Sequence, residues 1–224
     1  MKRIKLGDRV LPTYTKGEEV FNMVSHIVGG VIGIAILTLC IIFAAIPKDG
    51  YALASGIVYG VSSILMYTMS SIDHGLRKDS KAKKVFQIMD HCSIFLLIAG
   101  TYTPFALCTL REYNAALGWI IFGIVWGLAI IGIVLNSIDI KRYKIFSMIC
   151  YLVMGWCIIF RIDAIFNSLG LIAFLLLLLG GISYTMGAIT YALGKKRKWM
   201  HSIFHIFCVI GTILHALCIL IYIM

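Results

Sequence analysis

Two histidines stand four residues apart in the segment His201, Ser202, Ile203, Phe204, His205. On a helix that spacing puts both imidazoles on one face, one turn apart, where they can share a metal ion. A third imidazole, His74, lies four residues after Ser70, so the serine hydroxyl lies one turn from the ring on the same helical face. Asp90 is the one carboxylate within the strongly apolar stretches. Zn²⁺ is borderline-soft and takes three histidines readily, which leaves a fourth position for water. Asp90 would then accept a hydrogen bond from that water, orient it and take up its proton. If Asp90 instead bound the ion directly, the same four residues would make a closed, structural site. Glu19, Asn22 and His26 follow i, i+3, i+7 and are read as supports for the metal ligands or as substrate-positioning groups. His91 projects about 100° away from Asp90 around a helix, and His215 lies about 15 Å deeper than His205. Neither is expected to bind the ion, and His215 is expected to make a structural hydrogen bond. Asp73, beside Arg77 and Lys78, reads as half of a solvated ion pair.

These residues must be held by membrane helices. Of the 224 residues, 61% are hydrophobic and 13% charged, and the mean hydropathy is +0.97. A soluble domain has roughly 45–50% apolar and about 25% charged residues. The surplus must face lipid, so an ordinary soluble domain is excluded. About 20 apolar residues cross the hydrocarbon layer, and the chain offers seven such runs: Val24 to Ile46, Tyr51 to Ile72, Ile88 to Leu110, Ala115 to Asn136, Ile145 to Ile162, Ser168 to Leu193, and His201 to Met224. The expected fold is all-α, a single seven-transmembrane-helix domain over residues 1–224. The amino-terminal stretch is polar and the first apolar run exceeds the core of a signal peptide, so that span is expected to be retained. Pro104 should bend the third helix. The spacings Gly29 with Gly33, Gly56 with Gly60 and Gly123 with Gly127 allow close helix packing.

The net charge of +10 would suit nucleic acid if it were spread over one face, but it is clustered between the apolar runs. Five Lys and Arg precede the first span, five lie in Arg77 to Lys84, three in Lys141 to Lys144 and four in Lys195 to Lys198, while the alternate connections hold only Lys48, Arg111 and Arg161. The positive-inside rule therefore predicts a cytoplasmic amino terminus and an extracytoplasmic carboxyl terminus. This is opposite to G-protein-coupled receptors, and no nucleic-acid partner is needed. The seven cysteines all lie in apolar stretches without a CxxC pair and read as buried thiols. With this topology His74, Asp90, His201 and His205 all fall at cytoplasmic helix ends.

These residues resemble the signatures of the hemolysin III-type proteins of the progestin and adipoQ receptor superfamily, close to the bacterial branch. Glu19, Asn22 and His26 match its Glu-x-x-Asn-x-x-x-His motif. Ser70, His74 and the following Asp90 match its second motif, and His201 with His205 match its third. The resemblance spans nearly the whole chain. It implies a seven-helix fold with its amino terminus inside and zinc near the cytoplasmic face, held by His74, His201 and His205 with Asp90 and Ser70 close by. Related adiponectin receptors and alkaline ceramidases imply hydrolysis of lipid amides. An amino-terminal domain as long as the receptors' is not expected.

Three functions follow as expectations. One is zinc-dependent hydrolysis of a lipid amide or ester, with a lipid or fatty-acid ligand entering the helix bundle from the bilayer. A second is a non-catalytic role in membrane fluidity and energetics, or as a sensor, with structural zinc. The third is a hemolytic pore, disfavoured because no polar stripe runs the length of a span. Localisation in the bacterial cytoplasmic membrane is expected.

Overall fold

The computed structural model describes residues 6–47, 49–194 and 197–224. Lys2, Arg3, Lys5, Lys48, Lys195 and Lys196, which enter the charge count above, lie outside the described residues. The described chain is all-helical, with no strand among the described residues. Six long elements follow in order: α1 (Lys16–Ala45), α2 (Gly50–Gly75), α3 (Lys81–Pro104), α4 (Ala115–Trp156), α5 (Ile162–Leu193) and α6 (Met200–Tyr222).

Local chemistry sets the helix starts. Thr15 and Glu18 form a reciprocal capping box at α1. Asp49 Oδ1 accepts the amides of Tyr51 and Ala52 at α2, and Ser80 Oγ accepts the amide of Lys83 at α3. Beyond Pro104 the third helix continues as a wide turn, Phe105–Leu110, whose residues are all buried. The expected proline bend thus takes the form of a loosened helical turn.

Five stretches of described helix are long and apolar enough to cross a membrane: Lys16–Ala45, Gly50–Gly75, Lys81–Tyr113, Ala115–Leu193 and Met200–Tyr222. The fourth has 79 residues and is broken in three places. Asp139 is extended (φ −164°, ψ 99°), and its side chain accepts the amides of Lys141 and Arg142, as a helix-starting cap does. A tight turn, Cys157–Arg161, separates α4 from α5, and Gly170 adopts φ 81° within α5. Hydrogen bonds show the chain doubling back. Asn136 bonds Ser147 and Tyr151, although in an unbroken helix residues 136 and 151 would stand about 22 Å apart. Trp156 Nε1 donates to Thr185 Oγ1 across the second turn.

The faces are inverted relative to a soluble helix. On α1 the buried positions are Asn22, His26, Gly29, Gly33, Ile36 and Cys40, whereas Val24, Ile27, Val31 and Ile34 are exposed. Apart from Ile36, small and polar residues pack inward while most branched apolar ones face outward, as lipid allows. The α1 and α2 backbones approach closely at Gly60, where a Cβ would stand 2.6 Å from Leu37 Cα. Gly123 and Gly127 have nothing within 4 Å of an added Cβ, so that pair makes no close helix contact among the described residues.

Candidate metal centre

The last turn of α2 and the first two turns of α6 bring three imidazoles together. His74, His201 and His205 each offer a ring nitrogen, and these nitrogens all lie within 4.8 Å of one another. His201 Nε2 is 3.3 Å from His74 Nε2 and 3.1 Å from His205 Nε2. His74 and His205 are buried and His201 is half-buried.

The tautomer of His74 is fixed from behind. Glu19 Oε2 on α1 stands 2.7 Å from His74 Nδ1, and a carboxylate there can only accept, so Nδ1 carries the proton and Nε2 presents its lone pair. Bare lone pairs facing each other at this range repel unless a proton or a metal cation lies between them. With Zn–N bonds of about 2.0–2.1 Å, a tetrahedral ion sets neighbouring nitrogens about 3.3–3.4 Å apart. The two observed separations are close to that edge, so the residues fit a metal ion.

Stacked rings enclose the group. His26 lies over His205 with ring centres 3.7 Å apart and also meets Tyr67 edge-on. Tyr14 covers His201 at 4.8 Å. Tyr14 ends an amino-terminal segment strapped across this end of the bundle: Arg9 donates to Lys84 O and Gln87 Oε1, Lys78 Nζ donates to Tyr14 O, and Glu18 Oε1 accepts the amide of Trp199, held at φ 66°. Burial, with Tyr191, Glu19 and Asp90 nearby, raises the Tyr14 phenol pKa, so the ring stays neutral.

A cavity of about 150 Å³ opens beside the histidines. Of the three, His201 lines it, together with His26, Ser70, Asp90, Trp156 and His215. Asp90 thus faces the same space as His201 but does not belong to the close-set ligand group. Asn22 is fully buried, and neither its amide nor the ring nitrogens of His26 have a hydrogen-bond partner among the described residues. His91 bonds the Gln87 carbonyl through Nδ1 and stands 3.4 Å from the Tyr191 hydroxyl. His215 bonds the Leu177 carbonyl. Neither joins the three.

Asp73 departs from its expected place. It is buried instead of solvated, and its carbonyl accepts a bond from Lys83 Nζ at 2.6 Å. Tyr14, Asp73 and Lys83 were not legible as site residues from motifs alone. One signal existed for Lys83: Lys83, Gln87 and Asp90 follow i, i+4, i+7, a polar stripe on a helix that should otherwise be apolar.

Comparison with known proteins places the chain in a family. Residues 14–216 match the model of the haemolysin-III related family. The chain is 40% identical over 207 residues to hemolysin-3 of Bacillus cereus, covering 92% of each chain. It is 39% identical over 209 residues to the hemolysin-3 homolog of Bacillus subtilis (strain 168), covering 93% of this chain and 96% of the relative. It is also 24% identical over 221 residues to the monocyte to macrophage differentiation factor of Homo sapiens, covering 95% of this chain and 87% of the relative. The chain therefore belongs to the haemolysin III-related family of integral membrane proteins, within the progestin and adipoQ receptor superfamily.

Proposed function

We propose that this protein is a zinc-dependent hydrolase of a lipid amide or ester, ceramidase-like in its chemistry, with its site at the cytoplasmic end of a seven-helix bundle. The observation that carries the reading is the group of three histidine nitrogens, of which His201 lines a cavity that Asp90 and Ser70 also line. The seven-span count is supported by the breaks at Asp139 and Cys157–Arg161, which give the 79-residue element three legs. The placement of Lys and Arg supports an inner amino terminus and an outer carboxyl terminus.

Zinc held by His74, His201 and His205 would supply Lewis acidity toward a carbonyl and a nucleophile at neutral pH. The chain's own groups do the rest. Glu19 fixes the proton on His74 Nδ1 so that Nε2 is free to ligate. Asp90 accepts the proton of the attacking water and returns it to the leaving group. The Ser70 hydroxyl orients that water or the substrate oxygen. His26 and Asn22, whose buried polar atoms have no partner among the described residues, suit the polar part of a lipid lodged among apolar walls. A ligand set of three supports catalysis over a structural role, because structural zinc sites usually close with four protein ligands.

The test is lipid profiling of cells carrying the wild-type chain or Asp90→Ala, with the metal content of both proteins measured. The reading expects one lipid class to accumulate and its cleavage product to fall in Asp90→Ala, while metal is retained. An unchanged lipid profile with metal retained would favour the non-catalytic role in membrane homeostasis.

A further inference from the structure

One buried charge lies beside the three histidines and has no part in the chemistry above. Lysine is almost never buried without a partner. Lys83 opens α3 within the basic cluster between Arg77 and Lys84, yet it is 4% exposed, whereas Arg77, Lys78 and Lys81 of the same cluster are exposed. Its ammonium makes two contacts. Nζ is 3.1 Å from Glu19 Oε1, and it donates to the Asp73 carbonyl at 2.6 Å.

Both contacts lead to His74. Glu19 is the carboxylate whose other oxygen receives His74 Nδ1–H, and Asp73 is the residue immediately before His74. We propose that Lys83 is a positioning residue of the metal centre, holding the ring of His74 through Glu19 and its backbone through Asp73. This rests on the metal-centre reading given above.

Without the ammonium, Glu19 would keep one buried oxygen facing no charge. A buried carboxylate in that state is drawn toward water. That turn withdraws the acceptor that fixes the His74 tautomer and ring plane. Lys83 also ties α3 to α1 and α2 at one point, so it couples three of the helices around the site. In this account its charge is part of the metal centre, not a spare orientation signal on the inner surface.

The experiment measures zinc affinity by competition with a chelator, using the purified full-length protein in detergent. Partners that orient metal-binding histidines are worth 10–100-fold in affinity, so Lys83→Met is expected to weaken zinc binding by about that factor. Lys83→Arg, which keeps charge and donors, is expected to restore most of the affinity. Lys81→Met, which removes an exposed neighbour, is expected to bind like wild type. Proton–nitrogen NMR of the histidine rings supplies a readout that a merely structural role would not move. The His74 Nδ1–H signal should survive in Lys83→Arg and be lost in Lys83→Met. If Lys83→Met does not purify folded, Lys83→Gln takes its place with the same expected loss. Wild-type affinity in a folded, uncharged variant, or no recovery with arginine, overturns the assignment of Lys83 alone. A wild-type protein that binds no zinc overturns the metal centre itself and the assignment with it.

Discussion

The phenol ring of Tyr14 lies flat against the imidazole of His201, with ring centres 4.8 Å apart and planes inclined by 14°. The carbonyl of Tyr14 is held by Lys78, and the preceding segment is tied down by Arg9. The group of three histidines is therefore covered on this side by the chain's own amino-terminal residues.

That cover should slow metal exchange. Aromatic stacking is worth about 0.5–1.5 kcal/mol, so Tyr14→Ala is expected to speed metal loss to a water-soluble chelator by roughly 2- to 10-fold. Tyr14→Phe keeps the ring and should release metal at nearly the wild-type rate. Stopped-flow release from purified protein checks both variants. Equal rates for Tyr14→Ala and wild type would show that the stack does not limit access.

The close approach of α1 and α2 predicts a contrast between glycines. A side chain at Gly60 meets the Leu37 backbone, so Gly60→Val should destabilise the folded protein by about 1–3 kcal/mol, the usual range for overpacking. Gly123→Ala enters open space and should stay within about 0.5 kcal/mol of wild type. Thermal unfolding in detergent gives both values.

The hairpin at Asp139 and the turn at Cys157–Arg161 predict sidedness. An alkaline phosphatase fused after Met224 should be active, because its fold requires an oxidising, extracytoplasmic compartment, whereas the same enzyme fused after Lys141 should be inactive. Reversed activities would place the histidine group at the outer face and undo the topology proposed above.

Much of this protein could be read from its residues because lipid is a demanding solvent. The apolar runs mark where helices run, and the clusters of Lys and Arg between them are what the proposed orientation rests on. A polar group inside such a run or at its edge needs a reason, so His74, Asp90, His201 and His205 stand out, and the structure brings three of them within ligand distance. The breaks were harder to read. Asp139 lies in a polar connection and acts as a helix cap only once the chain turns there, and Gly170 takes a positive φ inside an apolar run that shows no turn signal. Tyr14, Asp73 and Lys83 were hidden for another reason. They sit outside the apolar runs, where a polar side chain is ordinary, and only the packing of four segments shows that Lys83 and Asp73 are buried and that Tyr14 covers the site. Composition cannot distinguish a lysine that orients the chain from one that holds a metal ligand in place.

The central claim is that His74, His201 and His205 hold one metal ion. Elemental analysis of the detergent-purified protein tests it most directly, comparing wild type, each single alanine variant, the triple variant and His215→Ala. The account predicts close to one zinc per chain in wild type and in His215→Ala, a sharp loss in each single variant at the three positions, and none in the triple variant. Near-stoichiometric metal in a folded triple variant would contradict it.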